Sequence, residues 1–447
     1  MRGRHLQRSA VVLAVGALAA LACFENPTSP AQCPDFCPAG GLAIVESLLS
    51  TAIERDSSFA GYVQAYQAAA LVASSLPGVD SRPIWVSTAI QTRFLIDTGT
   101  DTTTGPIVVD SVKVNVTVLR RDTAAVHNLR LAFYKLPVGI DSSTTFADLA
   151  TAFAAAPLRV VNVDSLAALP GRRDTITGDT VLAVDSAFLH SVVLRLKFRS
   201  SETGYREADS GKLALGVIAT GDSPPDVALG AAESGIGASA WWFFHVDSAG
   251  KLIRPDSLQH KVVDSLPAPP NFDSFVFNAP PVSLDSNLTV GGVPSIRSLL
   301  RVNLPRGIRD STQIIRATLQ LVPAGAVVTT TDSVFLRVKR LQADLGAKSP
   351  VVIDTFVASS KPFAGVPTDT VRIEMTTLFR GWQSDTTAVP AFYLSLLALT
   401  RLKLDSIHLN GGEASTLAAL RLFSSRSSTF RPSVRITYVP RVKFGAP

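Results

Sequence analysis

Glutamate is nearly missing from this chain. Of its 36 acidic residues, 8 are Glu and 28 are Asp. Charge as a whole is short: Asp, Glu, Lys and Arg make up 17% of 447 residues, against about a quarter in an ordinary soluble domain. Helix surfaces favour Glu, whereas Asp favours turns and caps, so a helix-rich protein is excluded. Histidine is scarce as well. His5, His127, His190, His245, His260 and His408 stand far apart, so no paired-histidine metal motif exists. Each Asp stands outside the D-x-D-x-D-G runs of calcium loops. Neither a G-x-S-x-G nucleophile elbow nor a P-loop occurs. The few Glu are too dispersed to suggest the paired carboxylates of a glycosidase. These absences point to a non-catalytic protein with no metal and no cofactor. No Lys/Arg cluster interleaves with aromatics, which argues against nucleic acid as a partner. At 46% hydrophobic, the chain is not of the disordered class.

What is present begins at the N-terminus. Arg2, Arg4 and Arg8 precede an apolar run from Ala10 to Ala22, and Cys23 follows. A basic start, a short apolar core and small residues before the cut make an export signal. The core is too short for a membrane span of about 20 residues. Leu18-Ala-Ala-Leu-Ala-Cys23 resembles a bacterial lipoprotein signal, in which Cys23 carries the lipid and becomes the new N-terminus. Ala20-Leu21-Ala22 also suits ordinary signal peptidase. The expectation is an exported lipoprotein of the outer membrane or cell surface, with secretion or a periplasmic location as the alternative. Residues 1–22 are read as the signal and 23–54 as a lipidated tether. Loss of the signal removes three Arg and no acid, lowering the net charge from +6 to +3. Cys33 and Cys37 remain. In an oxidising compartment they can close a small loop as a disulfide. With no nearby His they supply half a zinc site, and their C-x3-C spacing is not that of a redox pair.

Beyond residue 80 the pattern is that of strands. Val112-Lys-Val-Asn-Val-Thr-Val118 alternates apolar and polar, the period of a half-buried strand. Leu194–Phe198, Leu319–Leu321, Val334–Val338 and Val434–Tyr438 do the same, with Pro137-Val-Gly139, Gly291-Gly292 and Gly411-Gly412 as turns between strands. Many short strands bounded by turns predict an all-β fold of sandwich type. Only Ser143 to Ala156 and Leu42 to Ile53 read as helical. The halves also resemble each other. Asp226 to Glu233 matches Ser406 to Glu413, Leu129 to Leu136 matches Val334 to Leu341, Arg93 to Asp97 matches Leu299 to Asn303, and Asp56-Ser matches Asp273-Ser. Matches in a shared order predict two tandem antiparallel β-sandwich modules, 55–263 and 272–440, joined by a Pro-rich linker at 264–271 and followed by a tail, 441–447.

Punctuating both halves is one dipeptide. Of the 28 Asp, 24 are followed directly by Ser or Thr. Asp and Ser/Thr side chains bond their own backbone in turns, which is one explanation. The other is modification. Fifteen of the 24 continue with Ala, Ile, Leu, Val or Thr, which looks like the acceptor pattern of bacterial O-glycosylation.

Leu288-Thr-Val-Gly-Gly292, Arg297 to Asn303, Ile315 to Leu321, Glu374 to Trp382 and Arg431 to Tyr438 together resemble the DNRLRE-type, disaggregatase-related β-sandwich family of exported microbial proteins. The likeness covers the second module and reaches the first only through the internal repeat, where Trp382 has no equivalent. It implies a jelly-roll-like fold without catalysis and, in some relatives, carbohydrate binding. A sugar site needs aromatic faces and groups that pair with hydroxyls or carboxylates. The candidates are Trp85, Trp241 and Trp242, with Arg297 and Arg421. Adjacent strand residues face opposite sides, so one of Trp241 and Trp242 points away from the core, or lies against an edge or the other domain. Trp382 is a candidate by type as well, but it reads as core rather than as a ligand contact. Arg297, Arg301, Arg421 and Arg435 occupy alternating strand positions, as a basic face or as the solvated side of a sheet. Two functions follow: a surface module for adhesion or envelope structure, or an accessory module that captures polysaccharide.

Overall fold

The computed structural model describes residues 44–88, 93–97, 102–120, 126–167, 180–183, 192–203, 212–248, 251–253, 272–282, 284, 286–328, 333–352, 358–398 and 412–441. The export signal, Cys23, Cys33, Cys37 and the linker at 264–271 fall outside them.

The fold is all-β and antiparallel, as the alternation predicts. In the strand Thr102–Arg120, Val112, Val114, Val116 and Val118 are buried, while Lys113, Asn115 and Thr117 are half-buried. Successive side chains leave a strand on opposite faces, so the sequence itself assigns one face to the core. Val192–Arg199 repeats the alternation and lies alongside, with Leu194 opposite Val116. Ser239–Ser248 also runs beside Thr102–Arg120. Asp226–Gly230 meets the same strand, Leu229 opposite Val118. It carries the sheet on through Ala70–Leu76, Val79–Thr88, Lys212–Thr220, Arg130–Leu136 and Arg159–Asn162. The sheet packs on a core that includes Leu71, Trp85, Phe133, Leu196, Phe198 and Leu215.

Residues beyond 288 supply most of two further sheets. One has the order Pro323–Val328, Ala419–Leu422, Leu288–Gly291, Ile296–Val302, Ala391–Ala398, Ser333–Arg340, Phe363–Ala364. The other has the order Val45–Leu49, Ser433–Pro440, Thr312–Leu321, Val371–Glu374. Leu300, Leu336, Leu394 and Leu420 from the first share a core with Ile314, Leu319, Ile373 and Ile436 from the second. Full burial of each such side chain contributes roughly 1.5–3 kcal/mol. The helix Thr376–Ser384 adds Phe379 and Trp382 to this core, with ring centroids 5.1 Å apart. The sequence reading missed that helix. It anticipated the shorter one at Ala150–Ala154, inside the Ser143 to Ala156 stretch. Among the described residues no helix is long and apolar enough to cross a membrane.

Three strands sit elsewhere than the sequence reading put them. Val45–Leu49, assigned to the tether and read as helical, is a strand on Ser433–Pro440, with Val45 opposite Tyr438. Its residues alternate between half-buried and exposed, the two-residue period of a sheet edge and not the period of a helix. Ile53–Ala60, assigned mostly to the first module, pairs with Ile296–Val302, Asp56 opposite Leu300. Phe272–Asn278, expected to open the second module, pairs with Val79–Thr88, Asp273 opposite Trp85. Thus the leading strand of each half is built into the sheet of the other.

The two leading strands occupy matching places. Ile296–Val302 lies between Ile53–Ala60 and Ala391–Ala398. Val79–Thr88 lies between Phe272–Asn278 and Lys212–Thr220. The matched aspartates also share a task. Ser425 N–H donates to Asp56 Oδ2 at 2.5 Å, and Ala232 N–H donates to Asp273 Oδ2 at 2.7 Å. By this topology Asp226–Gly230 corresponds to Ala419–Leu422; most of the Ser406 to Glu413 segment suggested by the sequence lies outside the described residues.

Candidate functional site

The residues singled out from the sequence do not converge. Trp85 is 2% exposed and edge-on to Phe133, 6.3 Å between centroids, so its ring is core and presents no face to a ligand. The backbones of Trp241 and Trp242 lie in Ser239–Ser248, opposite Lys113 and Val112; their side chains are outside the described residues. Trp382 is buried on Phe379, as read. The four arginines form no common basic face. Arg301 pairs bidentately with Asp344 at 2.5 and 2.8 Å. Arg435 pairs with Glu46 across the four-stranded sheet at 2.5 Å. Arg421 is half-buried opposite Thr289.

Arg297 is buried, and it leads to a charged centre the sequence did not reveal. Its Nε donates to Glu413 Oε2 at 3.0 Å, and Lys339 Nζ donates to Glu413 Oε1 at 2.6 Å. Ser295 Oγ donates to Oε2 at 3.2 Å. The Arg297 guanidinium lies 4.4 Å above the Tyr62 ring, a favourable cation–π contact. Tyr62 meets Tyr393 edge-on at 5.4 Å. The Tyr62 hydroxyl lies 2.8 Å from both the Tyr393 oxygen and the Ala347 carbonyl. The Tyr393 hydroxyl in turn donates to Gly346 O at 2.5 Å.

Secondary structure explains how these groups meet. Arg297, Tyr393 and Lys339 lie on the adjacent strands Ile296–Val302, Ala391–Ala398 and Ser333–Arg340, with Lys339 directly opposite Tyr393. Even-numbered neighbours such as Leu300, Leu394 and Val338 face the sandwich core, so the odd-numbered set faces outward. Residues 412–417, which lead into the strand Ala419–Leu422 of the same sheet, lay Glu413 over that outer face, and 412–420 are buried throughout. Ala414 and Leu417 belong to the core of the other sheet. Ala414 has φ +56°, the left-handed region, costly for a residue with a Cβ. Glu413 sits beside that bend at 1% exposure.

The electrostatics follow from burial. Desolvation opposes ionisation of Glu413, but Lys339 and Arg297 outweigh it and hold the carboxyl below its ordinary range. Burial lowers Lys339 against the pull of Glu413, and it lowers Arg337. Burial and the Tyr393 hydrogen bond raise Tyr62. Chemically, this arrangement fixes a segment in place: one carboxylate holds two cations where solvent does not reach.

A second carboxylate site is found on the exchanged strand. Asp273 is 3% exposed and hydrogen-bonded to Glu233. Burial raises it to about 7, and Glu233 adds to the rise. A shallow groove of about 220 Å³ lies between Val338, Arg340, Ala358 and the start of the Thr376–Ser384 helix. Among the described residues, no group of three or more His, Cys, Asp or Glu is placed to hold a metal.

Sequence signals for the Glu413 centre were slight. Glu413 is one of 8 Glu and follows Gly411-Gly412; its partners come from segments more than 70 residues away. Comparison with protein-family models, with curated proteins and with solved structures finds no match to this chain.

Proposed function

We propose that the protein is an exported, non-catalytic surface module, a lipoprotein anchored through Cys23, whose β-sandwich body serves adhesion or envelope structure. The observation that carries this reading is where the chain enters the folded body. Val45–Leu49 is paired along its whole length with Ser433–Pro440. Ile53–Ala60 is then built into the eight-stranded sheet. A tether reaching this point is gripped by two successive strands, as a displayed body under load requires. Residues 24–44 span at most about 70 Å when extended. The resemblance to exported DNRLRE-type modules supports the same reading. So does the use of the chain's charge: Glu413, Lys339 and Arg297 are spent on one another. Capture of polysaccharide is the weaker reading, because Trp85 and Arg297 are both consumed by packing.

The test is fatty-acid labelling of the full chain in a diderm bacterium, with protease added to intact cells. The wild type is expected to take label and to be cleaved from outside, and Cys23→Ser is expected to be unlabelled and soluble. A wild-type chain that stays unlabelled and soluble overturns the anchor. Turnover of any polysaccharide by purified protein overturns the non-catalytic reading.

A further inference from the structure

The Asp-Ser/Thr dipeptide is the sequence feature that the fold does not fully use. If turn chemistry explained it, the hydroxyl directly after each Asp would be bonded in the turns. In four described turns and helix ends it is not. Asp141 Oδ1 accepts from Ser143 N and Oγ at 2.8 and 2.6 Å. Asp385 Oδ1 accepts from Thr387 N and Oγ1 at 2.9 and 2.6 Å. In both, the partner is two residues on, and the hydroxyl between, Ser142 or Thr386, is exposed at the bend. Asp164 Oδ2 accepts Leu129 N–H at 2.8 Å, and Ser165 is exposed. Asp310 pairs with Arg309 at 2.7 Å, and Ser311 is exposed. Folding thus accounts for the aspartates and not for the hydroxyls that follow them. The dipeptides within strands differ: Ser81, Ser111 and Ser274 are buried, and Ser81 Oγ donates to Val72 O at 2.8 Å.

We propose that Ser165, Ser311 and Thr386, each followed by Leu or Thr, are acceptors for O-linked sugar. The donor class is a sugar carried on a diphosphate. The hydroxyl oxygen attacks the anomeric carbon, the bond from that carbon to the diphosphate breaks, and the diphosphate leaves with the electron pair. The hydroxyl proton passes to a base of the transferase. Phosphate is disfavoured as the added group, since a dianion beside the Asp carboxylate is repelled, whereas a neutral sugar adds no charge. A bulky hydrophilic group suits an exposed bend. It also supplies hydration to a chain with only 17% charged residues. Ser311 and Thr386 lie toward one end of the sandwich. Gln383 Nε2 donates to the Ile308, Arg309 and Thr312 carbonyls at 2.9, 3.3 and 3.1 Å, and Arg441 N–H donates to Ser311 O at 2.8 Å. Tyr438, opposite Val45, is on the strand that arrives there, so two acceptors stand near the tether.

This inference rests on export, and its test separates the two. The full chain is purified from its native host and its intact mass and peptide fragments are measured. The expected result is a mature chain heavier than its polypeptide and lipid by a repeated sugar increment. One increment should be lost in each of Ser165→Ala, Ser311→Ala and Thr386→Ala, with Ser81, Ser111 and Ser274 unmodified. Asp385→Asn, with circular dichroism unchanged, should remove the increment at Thr386. An uncleaved, unexported chain overturns the export reading. A processed chain without sugar, with a phosphate-sized increment, or with sugar only on other residues overturns this inference and leaves export standing.

Discussion

Glu413 shows how much one side chain can decide. It is 1% exposed and bridges two cations. Removing one partner of a buried ion pair costs roughly 3–5 kcal/mol, because the others stay buried and unpaired. Glu413→Gln is therefore expected to lower stability by about 3–5 kcal/mol in urea unfolding at neutral pH. The carboxyl is held below its ordinary range, so its stabilising effect is present at neutral pH. That effect fades as pH falls through the lowered folded value. Asp273 has the opposite sign. Its folded value is raised from 3.8 to about 7, so the folded state holds the extra proton between those values. Stability from this group is present in acid and is lost as pH rises through about 7. Asp273→Asn still offers an oxygen to Ala232 N–H. It is expected to raise the melting temperature above wild type at pH 8 and to change it little at pH 4, as thermal scans would show.

Strands were legible in the sequence where both faces spoke. Val112 to Val118 alternates without a break, and burial follows it residue by residue. Val45–Leu49 was read as helical because 5 residues are too few to declare a period, and Ile53–Ala60 was misplaced because a strand of 8 residues does not state its partner. The partner is fixed by packing with residues far along the chain. The same holds for the candidate sites. Trp382 was read as core and is buried, and Trp85, held as a ligand candidate, is buried too, because an aromatic ring on a strand looks alike whether it packs or waits for a ligand. The Glu413 centre was illegible because it draws on three adjacent strands and a covering segment that are distant in sequence. The Thr376–Ser384 helix is the packing element most exposed to test. Trp382→Ala leaves a void beside Phe379, and a loss of about 3–5 kcal/mol is expected in chemical unfolding.

At the scale of the whole molecule, the reciprocal placement of Ile53–Ala60 and Phe272–Asn278 joins the halves. Neither half as delimited in sequence carries a complete sheet. A fragment of residues 272–441 lacks the strand that covers Ile296–Val302 and the one that covers Ser433–Pro440. It is expected to be cut rapidly in limited proteolysis, and restoring residues 44–60 by fusion is expected to protect it. Equal resistance with and without those residues would show that the exchanged strands are dispensable.

The same placement sets a timetable. Val45–Leu49 is made long before its partner Ser433–Pro440, since Val45 lies opposite Tyr438. Contacts so remote in sequence close slowly, and the waiting strands are open to wrong pairings. Until Ser433–Pro440 has been made, Val45–Leu49 has no partner strand, so the four-stranded sheet forms late. Among the described strands, the last in the chain is the one that locks the first.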